Sequence, residues 1–153
     1  MFKPAGFIND EYYIKKALEL AKKSLENDEI PIGALIVDQN NNIIGTGYNS
    51  AEQKKNQLFH AEIIAIQEAT KQKNDWRLDE CILYVTLEPC MMCFGLIHLS
   101  RIKKLIYAAN SHLFTVKSLY NKPYANHTCI IEKGPGEKES SDLLKTFFKK
   151  IRD

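Results

Sequence analysis

The sequence predicts an α/β domain in which helices cover a mixed five-stranded sheet, and three observations carry that reading. Segments with apolar residues at helical spacing alternate with short apolar, β-branched runs in the order αββαβαβα. Cys81 to Ala109 reads as strand, helix, strand, and a crossover this short favours parallel pairing of the two strands. At 153 residues, with no repeat or long linker, the chain has the length of a single domain, residues 1–153, built around one core.

Asn9 or Asp10 caps a first helix whose apolar positions are Ile14, Ala17, Leu18, Ala21 and Leu25, ending near Asn27. Ile30 to Asp38 reads as a buried strand, Gln39 to Asn42 as a turn, and Ile43 to Asn49 as the second arm of an antiparallel hairpin. Ser50 to Gln57 is a polar loop. From His60 to about Lys73 a helix follows, and the run Ile63, Ile64, Ala65, Ile66 and Ala69 implies burial between layers. Cys81 to Leu87 is a strand, Pro89 to Leu99 a helix with Pro89 in its first turn, and Lys104 to Ala109 a strand. Asn110 to Asn126 is a long loop, and Cys129 to Glu132 the fifth strand. After the Gly134-Pro135-Gly136 break a last helix follows, with Leu143, Leu144, Phe147, Phe148 and Ile151 along its apolar face. Leu143, Phe147 and Ile151 are expected in the core, and Phe148 either there or on a basic surface.

Composition excludes several classes. Apolar residues make up 44% and charged residues 26%, ordinary globular usage, which argues against disorder and fibrous repeats. The longest apolar runs, Ile30 to Val37 and Cys90 to Ile97, fall well short of the roughly 18 residues that span a bilayer, and Met1 to Pro4 opens no signal-peptide pattern. A soluble protein with no membrane partner is expected. Four cysteines are too few for a disulfide scaffold, and two stand at metal-ligand spacing, which favours a reducing cytoplasm. The net charge of +2 hides an asymmetry: residues 1–89 carry 10 basic and 14 acidic side chains, residues 90–153 carry 11 and 5. That split suits an anionic partner on the C-terminal half, and equally suits scattered solubilising lysines.

The chemistry-bearing residues are His60-Ala61-Glu62 and Pro89-Cys90-Met91-Met92-Cys93. Two thiols at i and i+3 at a helix start face one spot, and the positive helix end favours their ionised form. His60, at the start of another helix, would complete a three-ligand set for one zinc ion with a fourth position open, the pattern of a catalytic rather than a structural site. Glu62 lies about 200° around a regular helix from His60, so both reach one site only if it sits off the helix end. There Glu62 would not ligate; it would stand beside a water that zinc activates and carry its proton. Such a site suits addition of water to an electron-poor ring carbon and protonation of a departing amine.

The same Cys-x-x-Cys also fits a redox pair, or half of a four-ligand structural zinc site completed by Cys81 or Cys129. Both of those cysteines lie in apolar strand contexts without a Cys or His neighbour, so they read better as small buried side chains. His98, His112 and His127 show no ligand spacing and read as surface or polar packing residues. His-x-Glu combined with Pro-Cys-x-x-Cys is the signature of zinc deaminases.

Beyond that signature, Thr86 to Cys93, Ile97 to Ile102, Glu29 to Ala34, Gly47-Tyr48-Asn49 and the closing Phe147 to Arg152 resemble the bacterial tRNA-specific adenosine deaminases of the cytidine deaminase superfamily. The likeness runs over nearly the whole chain. It implies a three-layer cytidine-deaminase-like fold, one zinc ion per chain, and a homodimer that converts the wobble adenosine of a tRNA anticodon to inosine. It also implies that Asn49 and the Ala61 backbone touch the flipped base. Two rim segments depart from the family pattern. Asn56-Gln57-Leu58-Phe59 stands where an Asp-Pro run usually precedes the histidine, and Asn110 to Thr115 replaces an acidic residue followed by Lys and Gly.

An unpaired anticodon base can be splayed into a zinc pocket at modest cost, so a tRNA anticodon stem-loop is a physically reasonable partner. On that reading Lys149, Lys150 and Arg152 contact phosphates and Phe148 stacks on a base. The alternative is a deaminase of a free nucleobase or nucleoside of the guanine or cytosine type, which would need neither the basic tail nor an open rim. A non-catalytic zinc-binding RNA module would leave Glu62 without a task.

Overall fold

The computed structural model describes residues 9–112 and 117–153. Its elements are α1 (Asp10–Glu26), β1 (Gly33–Val37), β2 (Ile43–Tyr48), α2 (Ala51–Lys54), α3 (Ala61–Lys73), β3 (Ile82–Leu87), α4 (Met91–Leu99), β4 (Lys104–Ala109), β5 (Ile130–Lys133) and α5 (Glu137–Arg152). The strands form one sheet in the order β2-β1-β3-β4-β5. β1 runs antiparallel to both β2 and β3, whereas β3-β4 and β4-β5 are parallel, so the sheet is mixed, as the sequence predicts.

The alternation of side chains along each strand sorts the core into two layers. Ala34, Ile36, Leu83, Val85 and Leu105 meet α3 and α4 on one face, while Leu35, Val37, Tyr84, Ile106 and Ala108 meet α1 and Leu143 of α5 on the other. Every residue of β1 is buried, which is why its sequence reads as a continuous apolar run rather than an alternation. The strand begins at Gly33 rather than Ile30, because the Ile30 and Ile32 carbonyls are turned to Asn49, accepting from its side-chain amide and its backbone N–H.

Three further expectations change. The loop from Ser50 contains the single turn α2, held by Glu29, whose buried carboxylate accepts the backbone N–H groups of Glu52 and Gln53 at 2.8 and 3.2 Å. α3 lies in an outer layer rather than between layers: its first turns are covered, while Gln67, Glu68 and Lys71 to Lys73 face solvent. Ile151 is 62% exposed and lies outside the core, and Phe148 is exposed beside it, whereas Phe147 is buried. The reason is the path of α5. It starts beside Ala108, passes Thr86, whose carbonyl accepts from the Ser140 hydroxyl at 2.6 Å, and ends where Lys150 pairs with Asp28 ahead of β1. Its last turn has therefore run past the sheet that would cover it.

Gly47 brings β2 onto the first turn of α3. A Cβ there would stand 2.4 Å from the Ala61 carbonyl oxygen, against backbone that cannot yield without shifting the helix start. Gly47→Ala is expected to destabilise the protein by about 2–3 kcal/mol, lowering the melting temperature by roughly 6–9 °C in a thermal unfolding measurement.

Candidate active site

β3 ends at Leu87 and β4 at Ala109, and their parallel pairing carries Pro89-Cys90 and the segment after Ala109 to the same edge of the sheet. The helix that follows β3 begins at Met91, two residues later than Pro89. Cys90 retains extended backbone, with φ −72° and ψ 172°, and is the residue capping α4, which puts Cys93 at the third helical position. His60 holds the equivalent place on α3, also extended, with φ −72° and ψ 147°. Neither side chain caps its own helix.

This capping geometry explains how His60 and Glu62 can face the same point. A capping residue is only half in the helix, so its side chain projects past the end, where the second helical residue also leans. The His60 Nδ1 lies 3.7 Å from the Cys90 sulfur and 3.6 Å from that of Cys93. Ligands on a tetrahedral zinc with ordinary Zn–S and Zn–N bond lengths stand about 3.5 Å apart, so this donor set fits the ion in spacing as well as in chemistry. Among the described residues these three form the only such cluster of His, Cys, Asp and Glu groups. Cys81 and Cys129 are at the opposite end of the strands, next to the starts of β3 and β5, and are buried; burial pushes the Cys129 thiol up to about 12 and raises that of Cys81. They take no part in a four-ligand set.

The three donors perturb one another's ionisation. Hydrogen bonding from the Cys93 thiol, and secondarily from His60, holds the Cys90 thiol down to about 4. Cys93, the donor to Cys90 and itself buried, is pushed far above the usual thiol range. The hydrogen bond to Cys90 raises the His60 imidazole. Two helix N-termini add positive potential at the same point. Glu62 is 4% exposed, and burial pushes its carboxyl up to about 7, with Cys90 adding to the rise and His60 opposing it.

Several supporting residues could not be read from local spacing. Gln57, inside one of the departing rim segments, accepts at its side-chain oxygen from His60 Nε2 at 3.1 Å, leaving Nδ1 to face the sulfurs. Outer partners of this kind orient a ligating imidazole. Glu88, immediately before Pro89, is 2% exposed and accepts from the Ser111 backbone at 2.9 Å and from the Tyr120 hydroxyl. Asn49 is buried; its amide donates to the Ile30 carbonyl at 3.1 Å and its oxygen accepts from the Ala51 N–H at 3.3 Å. Of the other histidines, His98 is buried against the Phe94 carbonyl, His127 bonds the Ile102 carbonyl, and His112 is exposed. In the second departing rim segment, residues 113–115 lie outside the described residues.

The profile of the cytidine and deoxycytidylate deaminase zinc-binding region matches residues 8–109. The chain belongs to this deaminase family. His60, Cys90 and Cys93, the three donors that the fold brings together, are placed to hold the zinc ion of that region. Within this deaminase family, a tRNA-specific adenosine deaminase of Aquifex aeolicus is 43% identical over 147 residues, 94% of this chain and 96% of the relative. A solved structure from work on tRNA:A34 deaminases and A-to-I editing at the wobble position of transfer RNA superposes with a TM-score of 0.80. It is 32% identical and covers 88% of this chain and 99% of its own. Guanine deaminase from Bacillus subtilis is 30% identical with a TM-score of 0.65, covering 93% of this chain and 95% of its own. The three-layer sheet with its mixed strand order is thus the deaminase fold.

Proposed function

We propose that this deaminase converts the wobble adenosine of a tRNA anticodon to inosine by hydrolysis. The observation that carries the reading is the site of His60, Cys90, Cys93 and Glu62 in a chain matched over almost its full length by a tRNA-specific adenosine deaminase. Zinc held by these three ligands would supply Lewis-acid activation of a water. Glu62 takes the proton from that water as its oxygen adds to C6 of adenine. The carboxyl then delivers a proton to the exocyclic amine, the C6–N6 bond breaks and ammonia leaves. Burial favours the protonated carboxyl and so helps it take up the proton of the water.

Asn49 and the Ala61 backbone hold the flipped base. The Asn49 amide has one donor and one acceptor engaged within the protein, which leaves one of each for substrate. Ala61 is the first residue of α3, whose N–H a helix does not satisfy itself. The basic end of α5 contacts the anticodon stem-loop, with Phe148 exposed for stacking and Lys149 and Arg152 beside it; Lys150 is committed in part to Asp28. The enzyme acts in the cytoplasm as a homodimer. Met91 and Leu99 are exposed at i and i+8 on α4, with open space at Gly95 between them, and Met92 adds to this apolar stripe. Among the described residues no helix is long and apolar enough to cross a membrane.

The test is incubation with an unmodified tRNA carrying adenosine at the wobble position, with free guanine and cytosine in parallel because a guanine deaminase shares the fold. Inosine in the tRNA is expected, and conversion of a free base with none in tRNA overturns the reading. Changing Lys149, Lys150 and Arg152 together to Gln is expected to raise the KM for tRNA. It should also flatten the dependence of binding on salt by nearly one logarithmic unit for each phosphate left without its cation. Unchanged affinity and slope would remove α5 from the RNA interface.

A further inference from the structure

Tyr120 lies beyond the short 3-10 turn Lys117–Leu119 and has no place in the metal-ligand motif. Yet it touches that motif at both ends. Its hydroxyl donates to the buried carboxylate of Glu88, two residues before Cys90. Its ring stacks on Phe94, the residue after Cys93, with centroids 6.1 Å apart and planes at 20°. Glu88 is fixed further by the Ser111 N–H on its carboxylate and by its own N–H on the Ala109 carbonyl at 2.8 Å. Tyr120 is fixed through its N–H on the Lys117 carbonyl at 3.1 Å, and its neighbour Asn121 accepts from Ile131 in β5 at 3.2 Å.

We propose that Tyr120 is a positioning residue for the metal-binding turn, clasping Glu88 and Phe94 so that Pro89 to Cys93 is held from both sides and zinc is released slowly. Within the turn the Cys90 carbonyl accepts the Phe94 N–H at 2.9 Å and Cys93 is buried, but Met91 and Met92 are exposed, so the placement of Cys90 depends further on how its flanks are tied. The clasp ties both flanks to a segment some thirty residues further along the chain and anchored on β5. Burial and the Glu88 carboxylate keep the phenol protonated and able to donate. Removal of partners bonded to the ligands themselves typically costs 10–100-fold in metal affinity, and Tyr120, which acts through their chain neighbours, belongs at the lower end of that range.

The inference rests on zinc occupying the His60, Cys90 and Cys93 cluster, so the experiment first measures zinc in the wild-type chain and then its rate of transfer to a chromophoric chelator. Tyr120→Phe keeps the ring on Phe94 and removes the hydroxyl from Glu88. Transfer is expected to be about tenfold faster than in wild type. Ile131→Val, a core change in β5, serves as a control for general loosening and is expected to leave the rate within about twofold of wild type, as a conservative truncation should. Glu88→Gln is read in the same assay, also with faster transfer expected, and it decides the matter if Tyr120→Phe does not fold. A wild-type rate in the clasp variant, or equal acceleration in Ile131→Val, overturns the clasp and leaves the zinc site standing. A wild-type chain prepared without chelator that holds no zinc overturns the clasp together with the reading beneath it.

Discussion

Glu62→Gln is expected to retain zinc and fold while losing turnover by roughly 10²–10⁴-fold, the range that a positioned general acid–base group contributes. The carboxyl is buried beside the cluster at the second position of α3, and Gln has nearly its shape, so the side chain will occupy the same space. What disappears is the ability to accept a proton from water and return one to the amine. Burial also argues for little loss of stability, because a neutral amide is less costly to bury than a carboxylate. The measurement is single-turnover inosine formation together with zinc content and melting temperature. Turnover within tenfold of wild type would assign the proton transfer to another group.

Stripping the metal should have the largest effect on stability. His60 leads α3, and Cys90 and Cys93 belong to the start of α4, so the ion joins two elements whose N-termini otherwise bring like ends of two dipoles together. An ion present at a thousand times its dissociation constant stabilises the fold by about 4 kcal/mol, and tighter binding adds to that. Chelator-treated protein is therefore expected to melt roughly 8–15 °C lower than the zinc-loaded form and to recover on addition of zinc. Cys93→Ala should behave as the stripped protein does, with no recovery. A melting temperature indifferent to chelator would mean that the cluster holds no structurally coupled metal.

The metal centre was legible because its information is local. Cys90 and Cys93 are one helical turn apart, His60 and Glu62 are two residues apart, and each group sits at an element start that Pro89 or a change of periodicity marks. The hairpin and the parallel β3-β4 pair were legible for the same reason, since turn composition and crossover length are properties of short stretches. Even there the sequence misjudged a boundary. Treating Pro89 as the first helical residue put both cysteines inside the helix, whereas the extended backbone of Cys90 makes it a cap and the helix starts two residues later than Pro89.

By itself, then, the sequence determined the fold class and singled out His60, Glu62, Cys90 and Cys93, because periodicity and short spacing mark them, and the resemblance those motifs carry gave the deaminase family. Only the tertiary structure decided what supports them. Glu29 holds α2 from 23 residues away, Glu88 and Tyr120 meet across 32, and Lys150 reaches Asp28 across 122. Ile151 belongs to an apolar stripe in the sequence and to solvent in the fold, because α5 crosses the sheet and outruns it. Such contacts depend on strand order and on where each helix crosses the sheet, and these are set by the joint packing of two layers on the strands rather than by any one segment. A hydrogen bond between distant residues leaves no periodic trace in either segment, so its partners become visible only when the sheet has brought their elements to one edge.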